Sequence, residues 1–373
     1  MTSNAGSLKN WKGDNNGITQ NSVNLSTGEV GFPIDLVFLD GHNGLSAKVS
    51  INYSSDGVTK KVSTWNPDAP TSVVGIGWSL DYPRIVVDNQ QAGTREDDVF
   101  YIYEGGENIP LQRIDNDANY PGWQLYNTKD SQKWIVKYMP STERWEVTVE
   151  SGTTYVYGDV NSGRNTVQWL VKLGNWIGNS SRTTDASGNA IQQQQASVWN
   201  LSEITNNWQD KILYEYQNVN KAVGYGGKEQ TEASYLRRIT DVFGRIITLN
   251  YQAKEANEYM EPHPEQSEPD AYQEVYESMY LSSVEVQNES GKQLPTVTLE
   301  YSLIGSGDLT KRFLSSIKKA DLSDASPLST TYTYITSGYN KGKIETSQTP
   351  EGKKQNISIM RDKIWGISRQ TLS

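Results

Sequence analysis

His42 and His263 are the chain's two imidazoles, and they bound how much acid–base chemistry it can do near neutral pH. His42 falls in the Gly41–Gly44 turn, and His263 lies between two prolines of an acidic stretch. Neither sits in an HExxH pattern, and no GxSxG nucleophile accompanies them, so both read as exposed loop histidines. Cysteine is absent, which removes thiol nucleophiles, disulfides and thiolate metal sites together. Asp115, Asp117 and Asn119 mimic the first ligands of a calcium loop. However, Tyr120 stands where that loop needs glycine and Tyr126 where it needs glutamate. A solvated Asx-rich turn is the expectation there. Asp97 and Asp98 are neighbours, so on a strand they point to opposite faces and cannot share a hydrolytic cleft. Gly75-Ile76-Gly77 lacks the third glycine of a dinucleotide loop, and Trp78 stands where a phosphate would sit. Those glycines are expected to make a tight bend from which Trp78 plugs a core. The reading is of a chain with no catalytic residue, no metal site and no cofactor.

Composition narrows the partners. The formal net charge is −10, and the longest basic runs are pairs such as Lys60-Lys61 and Arg237-Arg238, which argues against nucleic acid. Tyr and Trp number 22 and 11 against 5 Phe. Rings with a polar tip suit shallow cores wet on one side, and they would also suit a sugar-binding face. Residues 1–30 lack the basic and apolar regions of a signal peptide, and no run reaches the roughly 18 apolar residues of a membrane span. The expectation is a soluble chain that makes no membrane insertion itself and that, if it leaves the cell, does so without a cleavable leader.

These side chains sit on a scaffold that reads as β throughout. Leu45, Ala47, Val49, Ile51 and Tyr53 alternate with Ser46, Lys48, Ser50 and Asn52, the pattern of a half-buried strand. Similar strands recur up to Thr153–Tyr157, punctuated by pairs such as Asp40-Gly41 and Ser151-Gly152. From about residue 199 four segments open on an apolar pair three apart and close on an aromatic-tipped strand. They run from Leu201 to Tyr216, Leu236 to Tyr251, Leu281 to Tyr301 and Leu314 to Tyr334, and a fifth copy opens near Ile344. Each unit predicts one hairpin, and stacked hairpins make a sheet that grows by addition. The turn arginine is expected to pair with carboxylates of the next hairpin, and the closing tyrosine to stack across the sheet. Residues 269–281 carry helical spacing at Tyr272, Val275/Tyr276 and Met279/Tyr280, predicting a short helical insertion. The division expected is a flexible arm over 1–27, a β domain over 28–170, a polar linker over 171–197 and the hairpin array over 198–373. The last unit, 357–373, has no successor, so an incomplete array or an edge docked on another chain is expected.

Particular motifs resemble a known family. Gly28 to Leu36, then Gly41-His42-Asn43-Gly44-Leu45, then Gly75-Ile76-Gly77-Trp78-Ser79-Leu80 follow the order of the virulence-plasmid-B-type N-terminal region of toxin-complex B components. Arg95 to Phe100 and Gly105 to Leu111 continue the resemblance. Asp241-Val242-Phe243-Gly244-Arg245, with Tyr251 downstream, is similar to the Rhs/YD repeat, although Thr240 replaces its tyrosine. The resemblance implies an all-β fold: a sandwich-like antiparallel N-terminal domain leading into a stacked-hairpin array. It implies a bacterial, non-catalytic shell component that encloses a toxic C-terminal fragment, partnered by a shell-completing C-type and a pore-forming A-type subunit. Gly41, Asn43, Gly44, Leu45, Gly75, Gly77, Trp78, Asp241, Gly244, Arg245 and Tyr251 would be structural. The alternative reading from composition is a carbohydrate-binding or adhesin module using exposed Trp and Tyr.

Overall fold

A computed structural model describes residues 22–24, 29–55, 58, 71–88, 98–104, 107–114, 117–128, 133–173, 192–223, 228–255, 258, 277–294, 296–305, 310–320, 327–338 and 340–357. Antiparallel strands dominate them, as the period-2 alternation predicts. A small four-stranded sheet comes first: β1 (Ser22–Asn24), β2 (Glu29–Leu39), β3 (Ala47–Ser54) and β4 (Trp78–Asp81). A ring follows, of β5 (Arg84–Asp88), β6 (Val99–Glu104), β7 (Glu107–Arg113), β8 (Gln124–Thr128), β9 (Ile135–Met139), β10 (Arg144–Thr148) and β11 (Thr154–Gly158). After β12 (Val167–Leu173), the long strand β13 (Gln192–Thr205) closes that ring by pairing with β11 and β5 at once. Rings of Phe100, Tyr126, Tyr138, Trp145 and Trp199 fill the interior, with Tyr138 stacked on Trp145 at 4.4 Å. Aromatic pairs of this kind fill a narrow barrel core, and polar tips are met at its edge, where Trp199 Nε1 and the Tyr138 hydroxyl both donate to Glu143.

Strand β13 also starts the wall. It pairs with β14 (Lys211–Val223), and the meander runs on through β15 (Lys228–Thr240), β16 (Ile246–Ala253), β17 (Met279–Gln287) and β18 (Val297–Ile304). It continues through β19 (Lys311–Lys319), β20 (Leu328–Tyr334), β21 (Ile344–Gln348) and β22 (Lys354–Asn356). The four sequence repeats are four of these hairpins, and one contact recurs in each. The hydroxyls of Tyr216, Tyr251, Tyr301 and Tyr334 donate to the carbonyls of Leu201, Leu236, Leu281 and Leu314, at 2.5–2.9 Å. Each tyrosine in turn lies opposite the residue opening the following hairpin: Leu236, Leu281, Leu314 and Ile344. The register shifts by one residue beside every one of them, and beside Tyr157 opposite Leu201 as well. Such bulges bend a strand and increase its twist. The result is a seam crossing the wall, built from one leucine and one tyrosine per hairpin.

The turns on one rim share a second device. At Asn206–Asp210, Asp241–Arg245, Asn288–Lys292 and Thr349–Lys353 the first amide donates to the fifth carbonyl and the fourth amide to the first carbonyl. The fourth residue is left-handed in all four (Gln209, Gly244, Gly291 and Gly352), which is why glycine fills three of them. In the first three, the opening Asn or Asp carboxamide or carboxylate also accepts from the third and fifth amides.

Three expectations need correction. Residues 269–276 lie outside the described residues, but Met279–Leu281 opens β17 rather than a helix. There the ladder to β16 and the burial of Leu281 override the helical spacing. The polar stretch 171–197 is strand at both ends, because Gln192–Gln195 pairs with Leu170–Leu173 and a backbone ladder does not depend on apolar side chains. In the N-terminal arm, Ser22–Asn24 pairs with Glu29–Gly31. The remainder of 1–27, and 174–191, lie outside the described residues.

The phenols of Tyr53, Tyr82, Tyr157, Tyr214, Tyr216, Tyr251, Tyr301, Tyr332 and Tyr334 are all driven above the ordinary tyrosine value by burial, and Tyr235 is pushed up to about 12 by the same cause. A raised folded value means the stability they contribute is complete below about pH 10 and declines as pH rises past it. Spectrophotometric alkaline titration is therefore expected to show this buried set ionising together with loss of near-ultraviolet dichroism. Ionisation of the full complement while that dichroism persists would contradict the packing described.

Candidate functional site

The features that composition and motif singled out converge on one place, the face where the small sheet lies against the wall. Gly75, in the left-handed region at φ 91°, starts this docking. The Ile76 amide next to it donates to the Arg312 carbonyl at 3.0 Å, and a Cβ on Gly75 would stand 2.7 Å from that oxygen. The backbone of the small sheet can approach the wall this closely only where no side chain intervenes. Gly77 is likewise crowded, by Val58 and the Tyr53 ring. Trp78 then enters the shared core: its Nε1 donates to the Tyr334 hydroxyl at 3.0 Å, and its ring meets Phe32, Tyr53 and Tyr332. The Tyr53 hydroxyl accepts from the Ile344 amide at 3.0 Å. The small sheet thus holds the tyrosine end of the fourth hairpin and the first residue of the strand that follows it.

Further along the same face, Leu281 donates its amide to the Val73 carbonyl, and Lys254 Nζ donates to the Thr71 carbonyl at 2.7 Å. Lys319 Nζ donates to the Asp35 carbonyl at 3.0 Å, and burial pulls its ammonium below the usual lysine value, with Asp35 opposing. Arg312 is buried against Glu258 in a two-point ion pair and lies 3.8 Å over the Tyr280 ring. A pair like this would cost heavily if one partner were removed, because the other charge would stay buried.

The two motif turns also meet. In the tight turn after β2, Asn43 and Gly44 both take left-handed conformations, Leu45 is buried, and a Cβ on Gly41 would overlap the Leu45 carbonyl. This turn rests on the wall rim. Asn43 Nδ2 donates to Asp210 at 2.9 Å, and His42 Nδ1 lies 3.2 Å from the same carboxylate. Asn206, Asn43 and His42 together hold the Asp210 carboxyl below its usual value. Arg245 pairs with Asp241 of its own turn and donates to the Asp40 carbonyl. It does not reach the next hairpin, because the three-residue loop places Asp241 directly beside it. Tyr251 is a member of the seam, and its ring also lies 5.2 Å from Tyr235.

The remaining candidates separate. Asp117 caps the Asn119 amide in an Asx turn, while His263, Asp97, Asp115 and Asn116 lie outside the described residues. Trp78, Trp145 and Trp199 are buried, whereas Trp208 is 66% exposed on the rim. Among the described residues no cluster of three His, Asp or Glu side chains is placed to hold a metal, and no helix is long and apolar enough to cross a membrane. Sequence reading missed the Glu258–Arg312 pair and the lysine contacts to Thr71 and Asp35. No local pattern marks partners that distant in the chain.

With this geometry in view, the chain can be compared with known proteins. Over 82% of its length it superposes on the crystal structure of TcdB2-TccC3 with Cdc42, at TM-score 0.51 and 13% identity. It matches the Photorhabdus luminescens Tc holotoxin pore over the same share, at TM-score 0.50 and 12% identity. The chain shares its fold with part of these structures. In both cases the chain spans only 16% of the matched chain. A curated relative, salivary gland surface protein 1 of Aedes aegypti, is 26% identical over 226 residues, which is 60% of this chain and 6% of that protein. No family model matches the chain.

Two glycines separate backbone strain from close approach. Gly75→Ala is expected to cost about 2–4 kcal/mol, from the left-handed conformation plus collision with the Arg312 carbonyl. Gly44→Ala, equally left-handed but facing open space, is expected to cost only about 1–2 kcal/mol. Chemical denaturation of both variants measures the difference; equal losses would mean the docking does not need the Gly75 contact.

Proposed function

We propose that this chain is a non-catalytic structural section of a secreted, toxin-complex-type β shell, which encloses a toxic fragment and assembles with other toxin-complex subunits. The observation that carries the reading is the leucine–tyrosine seam. It repeats hairpin after hairpin, and every added hairpin offers the next leucine or isoleucine position to its neighbour, so the same chemistry can extend a wall to any length. The likeness of fold to the TcdB2-TccC3 structures supports the same reading. So does the use of the family-motif residues, which go into backbone approach, turn capping and docking. In this reading the small sheet lines and stiffens the first stretch of wall, and shell-completing C-type and pore-forming A-type subunits are the expected partners.

Electron microscopy of the natural polypeptide that carries this sequence tests the proposal. A hollow particle is expected, with the β14–β22 hairpins forming part of its wall. A solid particle, or substrate turnover abolished by replacing one acid or histidine, would overturn it.

A further inference from the structure

The ring holds a feature that wall building does not use. Its aromatic plug occupies the middle of the barrel. Toward the ends of β6 and β10 and the start of β11, the inward face is left unfilled. A cavity of about 400 Å³ opens there, within the size range of small-molecule sites. Its lining combines the rings of Trp134, Tyr155 and Tyr157 with the carboxylates of Glu104 and Glu150, and among the described residues it includes no Lys, Arg or His. Tyr155 and Tyr157 share the inward face with Val147 and Trp145, their cross-strand partners. Glu104 continues the face of Phe100 and Ile102 past the plugged interior, at the mouth, where its side chain is open to solvent on one side.

The Glu104 carboxylate makes no hydrogen bond or ion pair among the described residues. Burial, and then the nearby Asp81 carboxylate, push its carboxyl above the usual glutamate value, with Lys48 opposing. Lys48 itself lies on β3, exposed to solvent and outside the cavity lining. The recess is therefore an anionic aromatic pocket, with no basic side chain among its described lining residues. Ring faces carry negative potential and attract cations, most strongly where water is partly excluded. An anion would be repelled.

We propose that the barrel mouth binds a small organic ammonium ion, caged by Trp134, Tyr155 and Tyr157 with Glu104 as its counter-ion. This site is independent of the shell reading and stands or falls separately from it. Tetramethylammonium is a suitable probe, with tert-butyl alcohol as a neutral control of the same shape. Calorimetric titration of the full chain is expected to give saturable 1:1 binding of the cation in the millimolar range and none of the alcohol. Affinity should rise with pH through the raised Glu104 value as that carboxyl ionises. Glu104→Gln and Trp134→Ala should each weaken binding by about tenfold, whereas Glu289→Gln, on a rim turn, should leave it unchanged. Should either pocket variant fail to fold, the pH dependence of the unaltered chain still decides. Absent saturation, equal binding of cation and alcohol, or pH-independent affinity would each overturn the proposal, as would tighter binding of glucose than of the cation.

Discussion

Everything in the wall depends on a hydrogen bond between a tyrosine hydroxyl and a leucine carbonyl. A bulge in an antiparallel pair leaves backbone groups out of the regular ladder, and a buried carbonyl without a donor is costly. Here each bulge places a tyrosine so that its hydroxyl reaches across its own hairpin to the leucine at the opening. The phenol also supplies a large apolar ring to the core, so one residue closes the hydrogen-bond deficit and fills the layer beneath it. Because the tyrosine faces the first residue of the following hairpin, the arrangement hands on from one unit to the next. The constraint is geometric before it is energetic: the bulge, the bend and the hydroxyl contact recur together.

The small sheet is the second half of the construction. A lone meander would leave one apolar face in water. Phe32, Tyr53 and Trp78 cover that face, and two of them bond directly to seam or wall positions, Trp78 to Tyr334 and Tyr53 to Ile344. Backbone contact at Gly75 and the rim contacts of Asp40, His42 and Asn43 fix its placement at both ends. Strand β13 ties ring to wall by pairing with β5, β11, β12 and β14 along successive stretches of its length. Ring, wall and cover therefore share one core rather than three.

Much of this was legible in the chain. Period-2 alternation marks strands because side chains alternate across a pleat, and the four Leu-to-Tyr units show in the sequence at the positions where the seam runs. The D-x-x-G-R pattern is readable because glycine answers a left-handed position and aspartate caps amides, both local demands. What stayed hidden is non-local. The glutamine run that opens β13 carries no apolar alternation, so nothing announced its pairing with β12. Glu258 and Arg312 find each other only after β16 to β19 have formed. The cavity beside Glu104 likewise assembles from β6, β10 and β11 and leaves no mark in any one of them. Helical spacing near Met279 was real as spacing, but the pairing with β16 outweighed it.

Amide hydrogen exchange on Tyr251→Phe tests the seam most directly, since the substitution removes one hydroxyl and keeps the ring. If the seam couples neighbouring hairpins, exchange should accelerate in the Leu236–Tyr251 hairpin and also in the Leu281–Tyr301 hairpin beyond it, with a loss of about 1–2 kcal/mol in the opening free energy. Acceleration confined to β16, with β17 and β18 protected as before, would show that the hairpins stand independently and contradict the account.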